Sequence, residues 1–360
     1  MIRLQSDVPL SGYTTLGVGG RARWLVRAET VADVESVIAW TADRNVRLFV
    51  LGGGSNLVIA DEGIDGVVLH VGIRGVEWTE RDGDTLVRAG AGEPWDELAA
   101  AIVSRGLAGV ECLSGIPGSA GGTPVQNVGA YGQEVAETIA EVSVFDRSAG
   151  HLTTLSGAEC GFGYRTSRFK NEDAGRFIVC HVTFAVRPGA PRITYPDLLR
   201  HLERTGSSSP GLGDVRRAVL EIRRQKGMVL DPTDPDTRSV GSFFTNPVVS
   251  PRVHASIAEA GGAPAPGYCL PGGGVKIPAA WLIEQSGFSR GHRDGRVGLS
   301  SKHPLAIINR GGATARDVLG LAARIKRRVV DRFGIWLRPE PVLVGLSDDA
   351  DATYLQQEAG

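Results

Sequence analysis

The chain has 360 residues, 42% of them apolar and 22% charged, with a formal net charge of −1. At roughly 150 residues per domain, this favours two or three packed units with ample core and argues against a disordered chain. A charge near zero indicates no bulk attraction to nucleic acid or lipid, and no apolar run approaches the ~18 residues that a membrane span needs.

The N-terminus, Met1 to Asp7, carries no signal-peptide apolar region. Thr30-Val31-Ala32-Asp33 resembles a capping box, and Val34, Val37, Ile38 and Ala42 follow at helical spacing. Val46–Leu51 reads as a strand that runs into Gly52-Gly53-Gly54-Ser55-Asn56. Further strands are expected at 57–59, 66–71 and 85–89. Pro94 opens a short helix with Leu98, Ala101 and Ile102 on one face, stopped near Gly106. Gly115 to Gly132 has no helical period, and 139–145 and 177–186 alternate as strands do. A linker-like stretch, Gly206 to Gly211, marks a domain boundary. Helices follow at about 214–226, 279–285 and 314–333, the last capped by Thr314 with Asp317 at the third position. Arg324, Lys326, Arg327 and Arg328 on that helix read as a solvated face. The fold class is α+β, with parts ending near 205 and starting near 212.

Four cysteines, Cys112, Cys160, Cys180 and Cys269, are scattered without a CxxC, so neither a disulfide framework nor a zinc site is expected, and a reducing cytoplasm fits. The seven histidines form no HxxxH or HExxH pair, no metal is expected, and His303 before Pro304 reads as structural.

There are 49 glycines, about twice ordinary usage, and they cluster. Glycine clusters form where backbone bends sharply or presses against a ligand. Gly52-Gly53-Gly54-Ser55-Asn56-Leu57 after a strand is as readily a phosphate nest as a plain tight turn. Ser114 to Gly132 holds six glycines, two prolines and the apolar Ile116, Val125, Val128 and Tyr131, which favours a structured loop around a ligand over a surface loop.

These two segments, in this order, resemble the vanillyl-alcohol-oxidase-type FAD-binding domain. More narrowly, the chain resembles the UDP-N-acetylenolpyruvoylglucosamine reductases of the type I branch, from Pro9–Gly20 to Trp336–Glu340. Cys160-Gly-Phe-Gly-Tyr-Arg-Thr-Ser167 resembles their GYRxS motif, and Val240-Gly-Ser-Phe-Phe-Thr-Asn246 their GSFFxNP motif. Trp336-Leu-Arg-Pro-Glu340 carries their glutamate.

The resemblance implies a two-lobed FAD-binding domain (1–75 and 76–205) and a C-terminal α+β substrate-binding domain (212–348) whose end returns toward the flavin. It implies Arg165, Ser242 and Glu340 as catalytic residues, with Ser242 the proton donor. FAD, held non-covalently, would lie on Gly52, Gly53, Gly54, Ser55, Asn56, Leu57, Ser114, Gly115, Pro117, Gly118, Ser119, Gly121, Gly122 and Arg223. The substrate would meet Tyr131, Tyr164, Tyr195, Lys226, Asn246 and Gln285. The implied activity is reduction of UDP-N-acetylglucosamine enolpyruvate by NADPH, a co-substrate, in peptidoglycan precursor synthesis. A cytoplasmic monomer is expected, with no nucleic-acid or membrane partner.

Two departures stand near Glu340. Relatives usually carry an acid where this chain has Arg338, and many carry a basic residue where it has Val342. The interval from Lys226 to Ser242 is a few residues longer than in some relatives, so Thr233–Thr237 reads as an insertion. The rival readings are an FAD-linked oxidase of the same flavin fold and a sugar-nucleotide-binding protein without catalysis. Neither has a use for the whole set of flavin loops, Tyr164-Arg165, Ser242 and Glu340.

Overall fold

The computed structural model describes residues 2–206, 209–261 and 264–358, so Ser207 and Ser208 of the expected linker lie outside the described residues. The chain divides into two compact units. The first holds 1–8, 22–54 and 65–229, and the second 9–21, 55–64 and 230–360.

The first unit contains a sheet in the order Gln5–Pro9, Arg21–Ala28, Ile64–Val71, Leu48–Leu51, with the last two strands parallel. The helix Val31–Asp43 covers it. Its Thr30–Asp33 capping box is formed on both sides, and Val34 and Val37 enter the core beside Val67, Leu69 and Val71. A second, antiparallel sheet is built on the long strand Phe177–Pro188, which pairs with Ile139–Asp146 on one side and Asp84–Gly90 on the other. Trp95, Leu98 and Ile102 of the helix Trp95–Ser104 pack on that sheet with Phe184 and Val182.

The helix Leu212–Gln225 belongs to the first unit, although the sequence reading begins a new domain with it. Its stripe of Val215, Val219 and Ile222 is buried with Leu198 and Leu202 of the helix Pro196–Arg204 and with Cys112 and Tyr131. The division therefore falls between Val229 and Leu230. The second unit also takes in Pro9–Arg21 and Ser55–Ile64, which a reading in chain order cannot anticipate.

The core of the second unit is organised on the helix Ala315–Phe333. Thr314 caps it in a formed capping box with Asp317, and Val318, Leu321, Ile325, Val329 and Phe333 are all buried. Phe243, Phe244, Leu282, Ile283, Leu299 and Ile307 complete the core. Lys326, expected on a solvated face, is fully buried, because its side chain turns to the carbonyls that close the helix Ala350–Gln356. Among the described residues, no helix is long and apolar enough to cross a membrane.

Candidate active site

In the first unit, the strand Leu48–Leu51 opens into Gly52 and Gly53, and the second glycine segment lies against them. A Cβ on Gly53 would stand 2.6 Å from Gly118 Cα and 2.8 Å from Ser119 N. Any side chain there would force the two backbones apart, and only glycine permits the approach. Gly115 is constrained twice. Its φ is +72°, and a Cβ would meet Leu220 Cδ2 at 2.7 Å.

The loop is tied from behind. Asp96 accepts the Gly115 N–H at 2.6 Å and pairs with both terminal nitrogens of Arg216, at 2.6 and 3.0 Å. Burial alone would raise the Asp96 carboxyl, but the Arg216 and Gly115 bonds hold it below the ordinary carboxylate value. Gly121 N donates to Ala91 O at 2.9 Å, and Pro117 and Gly122 are half-buried. The Ser114 hydroxyl closes its own turn on Glu111 O at 2.7 Å.

Two buried polar atoms of this region have no hydrogen-bond partner, Ser119 Oγ and Arg223 Nε. A methyl on Gly52 would lie 3.3 Å from Ser119 Oγ, and one on Gly115 would lie 3.4 Å from Arg223 Nε. An orphaned guanidinium N–H is costly in a protein interior unless a ligand meets it. Two abutting glycine backbones, a buried hydroxyl and a buried cation fit a phosphate-bearing cofactor such as FAD.

The expected substrate residues Tyr131, Tyr195 and Lys226 gather beside Arg223. Tyr131 and Tyr195 meet edge to face with centroids 5.4 Å apart, and Lys226 Nζ lies 6.0 Å from the Tyr131 ring centroid. Burial pushes the Tyr131 hydroxyl up to about 12, so it stays a neutral donor. Burial also lowers Arg223, against the pull of Tyr131 and Asp96. Lys226 caps the helix Leu212–Gln225 and reaches Asp197 at 3.5 Å.

Arg165, in the same unit, has φ +55°, a left-handed conformation uncommon for a residue with a side chain. Its Nη2 donates to Gly129 O at 2.6 Å, and its guanidinium lies 5.4 Å from the ring centroid of the half-exposed Tyr164. Asn127 and Tyr131, at φ +47° and +50°, share the left-handed region. Such strain gathers at functional sites.

In the second unit, the Ser242 and Glu340 segments pair. Phe244 bridges Pro339 antiparallel, Glu340 N donates to Phe243 O at 2.8 Å, and Thr245 N donates to Arg338 O at 3.0 Å. Phe243 and Phe244 are buried and hold this ladder to the core, leaving Ser242 and Glu340 half-buried. Asn56, expected at FAD, donates its side-chain amide to Glu340 O at 3.2 Å, and Val342 N donates to Asn56 O at 3.0 Å. Leu57–Ile59 continues as a strand parallel to Val342–Val344. Gly54 is thus the last residue of its motif in the first unit, and Ser55, Asn56 and Leu57 belong to the second.

Asn246, expected at the substrate, accepts the Ala279 N–H at 2.9 Å and so caps the helix Ala279–Gln285. Gln285 ends that helix, half-buried, with its carbonyl bonded by Arg332.

Several residues of these clusters carry no signal in the sequence. Asp96 and Arg216 are 120 positions apart, and nothing local says that they meet at Gly115. Asp197 lies in the first turn of the helix Pro196–Arg204, and nothing local marks it as a partner of Lys226. His303, read as structural, sits with Nε2 3.4 Å from Ser242 Oγ.

Comparison with known proteins gives the family. Residues 22–156 match the family described as an FAD binding domain, and residues 231–344 match the C-terminal domain of UDP-N-acetylenolpyruvoylglucosamine reductase. The UDP-N-acetylenolpyruvoylglucosamine reductase of Thermobifida fusca (strain YX) is 50% identical over 354 residues, covering 95% of this chain and 98% of that one. The chain belongs to the UDP-N-acetylenolpyruvoylglucosamine reductase family. The reductase of Salinispora arenicola is 49% identical over 94% of this chain and 95% of its own. The crystal structure of the Thermus caldophilus reductase superposes with a TM-score of 0.65 at 27% identity, covering 96% of this chain and all of that one.

The fold expected from the motifs stands: a vanillyl-alcohol-oxidase-type FAD-binding domain followed by a C-terminal α+β domain. Both departures from the family pattern have a place in the structure. Arg338 pairs with Glu358, beyond the matched C-terminal domain, and Val342 opens the strand beside Leu57.

Proposed function

We propose that this chain reduces UDP-N-acetylglucosamine enolpyruvate to UDP-N-acetylmuramate with NADPH, through non-covalently bound FAD, in peptidoglycan precursor synthesis. The observation that carries the reading is the ladder that fastens the Ser242 segment to the Glu340 segment. Bound FAD would supply the two-electron chemistry between NADPH and C3 of the enol ether. Gly52, Gly53, Gly115, Gly118, Ser119 and Arg223 would hold its pyrophosphate with backbone N–H groups, a hydroxyl and a guanidinium.

The protein's part is to hold charge and move one proton. Negative charge develops on the pyruvyl carboxylate as an enolate. Arg165, oriented by Gly129 O, offers it forked N–H donors, and Glu340 acts through its hydrogen bonds at the same stage. Ser242 gives its hydroxyl proton to C2. Lys226 meets phosphate or carboxylate, and Tyr131, Tyr164, Tyr195, Asn246 and Gln285 line the sugar nucleotide's path. An oxidase has no need of a serine proton donor, and the curated relatives are named as reductases.

The enzyme works in the cytoplasm as a monomer. Its four cysteines are all free thiols, as a reducing compartment keeps them.

Stopped-flow measurement of the two half-reactions tests the reading. The purified protein is expected to be yellow and to bleach with NADPH. Ser242→Ala should bleach at the normal rate but reoxidise with the enolpyruvyl substrate at least ~10²-fold more slowly, the lower end of general-acid contributions. Equal slowing of both steps, or normal reoxidation, would remove Ser242 from the mechanism.

A further inference from the structure

A serine hydroxyl is a weak acid, and once it has given up its proton the oxygen must be neutralised before the next turnover. The reaction therefore needs a group that holds Ser242 and returns a proton to it. Resting on the reading of Ser242 as donor, we infer that His303 is that positioning residue, aligning the Ser242 hydroxyl and reprotonating it through Nε2.

The geometry is local to the second unit. His303 Nε2 lies 3.4 Å from Ser242 Oγ. This is long beside the ~2.7–3.2 Å of ordinary hydrogen bonds, as catalytic contacts often are before substrate tightens them. The two segments are also joined through their backbones, since Phe243 N donates to Leu305 O at 2.8 Å. Imidazole is the side chain that takes up and releases a proton near neutral pH.

The seat of His303 is built with unusual care for a structural residue. Ser300, fully buried, accepts the backbone N–H groups of Lys302 and His303 at 3.0 and 3.2 Å, while Ala306 N closes on His303 O at 3.2 Å. Pro304 restricts His303 to extended backbone. The turn is clamped from outside by the loop that the sequence reading marks as an insertion. Asp236, itself buried, accepts the backbone and the hydroxyl of Ser301 at 3.0 and 2.6 Å, and Asp234 pairs with the Lys302 ammonium. Asp234 and Asp236 thus fix the turn on which the histidine stands.

The step balances without any oxidant or reductant. The Oγ–H bond of Ser242 breaks as the C2–H bond forms, and Oγ keeps the electron pair. That pair takes the Nε2 proton of a protonated His303, which becomes neutral and regains a proton from solvent.

The test uses the FAD-loaded enzyme and both half-reactions. His303→Ala should be reduced by NADPH at the normal rate and bind the enolpyruvyl substrate with unchanged affinity. It should reoxidise on the order of tenfold or more slowly, less than the ~10²–10⁴-fold of a direct proton donor. Added imidazole should restore part of the rate, which a merely structural histidine would not allow. In the Ser242→Ala background, His303→Ala should cost nothing further. Should His303→Ala lose FAD, His303→Gln keeps size and polarity but cannot supply the proton, and should be equally slow. Normal reoxidation in the histidine variants, or an undiminished loss in the Ser242→Ala background, overturns the inference while Ser242 stands. Normal reoxidation in Ser242→Ala overturns the reading of Ser242, and His303 falls with it.

Discussion

Two buried cations, one in each unit, sit on helices of similar pattern and have opposite surroundings. Lys326 donates to three backbone carbonyls, Tyr354 O at 3.1 Å, Leu355 O at 2.8 Å and Gln357 O at 2.7 Å, and lies 5.2 Å from the Trp336 ring centroid. Arg223 gives one nitrogen to Met228 O at 2.9 Å and leaves Nε with nothing, beside a glycine whose backbone must stay bare. Burial alone therefore does not separate a structural cation from a ligand-binding one. The completeness of its hydrogen bonding does, since a satisfied cation closes a fold and an orphaned N–H awaits an acceptor.

The largest expected difference between the two is in FAD retention. A charge-assisted hydrogen bond contributes roughly 1.5–3 kcal/mol, so Arg223→Met should weaken FAD binding about 10- to 100-fold, measured by equilibrium titration of apoprotein. Its apoprotein should unfold at close to the wild-type denaturant concentration, because the lost bond to Met228 O is offset by removal of a buried charge whose Nε has no partner. An apoprotein clearly destabilised with FAD affinity intact would make Arg223 a second Lys326 and end the contrast.

Lys326→Met should show the converse. Leaving buried carbonyls without donors should cost on the order of 2–3 kcal/mol in equilibrium unfolding, with FAD affinity and both half-reactions unchanged. A normal unfolding midpoint would mean that water replaces the ammonium.

A smaller effect sharpens the same contrast by pH. Burial pushes Lys326 down to about 8 from the ordinary 10.5. Between these values the unfolded chain holds a proton that the folded chain does not, so unfolding takes one up. The lysine's contribution to stability therefore rises with pH across that window. The unfolding free energy of wild type minus that of Lys326→Met should climb from pH 8 to 10.5. A flat difference would show that the three carbonyls keep the ammonium charged.

Local pattern carried a good part of this protein. Capping boxes at Thr30 and Thr314, the stripe from Val318 to Phe333 and the helix at 279–285 are legible because they depend on neighbours within a turn or two. The glycine segments and the Arg165, Ser242 and Glu340 motifs are legible for a related reason, since each is a short run with its own backbone demands. The helices Pro196–Arg204, Pro251–Gly261 and Ala350–Gln356 are absent from the sequence reading. The first is so charged that only its packing on Val215 and Val219 reveals an apolar face.

The family, the two glycine segments and the order of the Arg165, Ser242 and Glu340 motifs were legible without any fold, all of them properties of contiguous residues. Only the tertiary structure decided which unit each segment serves and what each polar group faces. It gave Asn56 to Glu340, Asn246 to a helix N-terminus, Asp96 to Gly115, and His303 to Ser242. Those pairings join residues from 19 to 284 positions apart. Long-range contacts of that kind carry no periodicity, because a buried polar group is satisfied by whatever donor or acceptor the packed chain brings within about 3 Å, wherever it lies in the sequence.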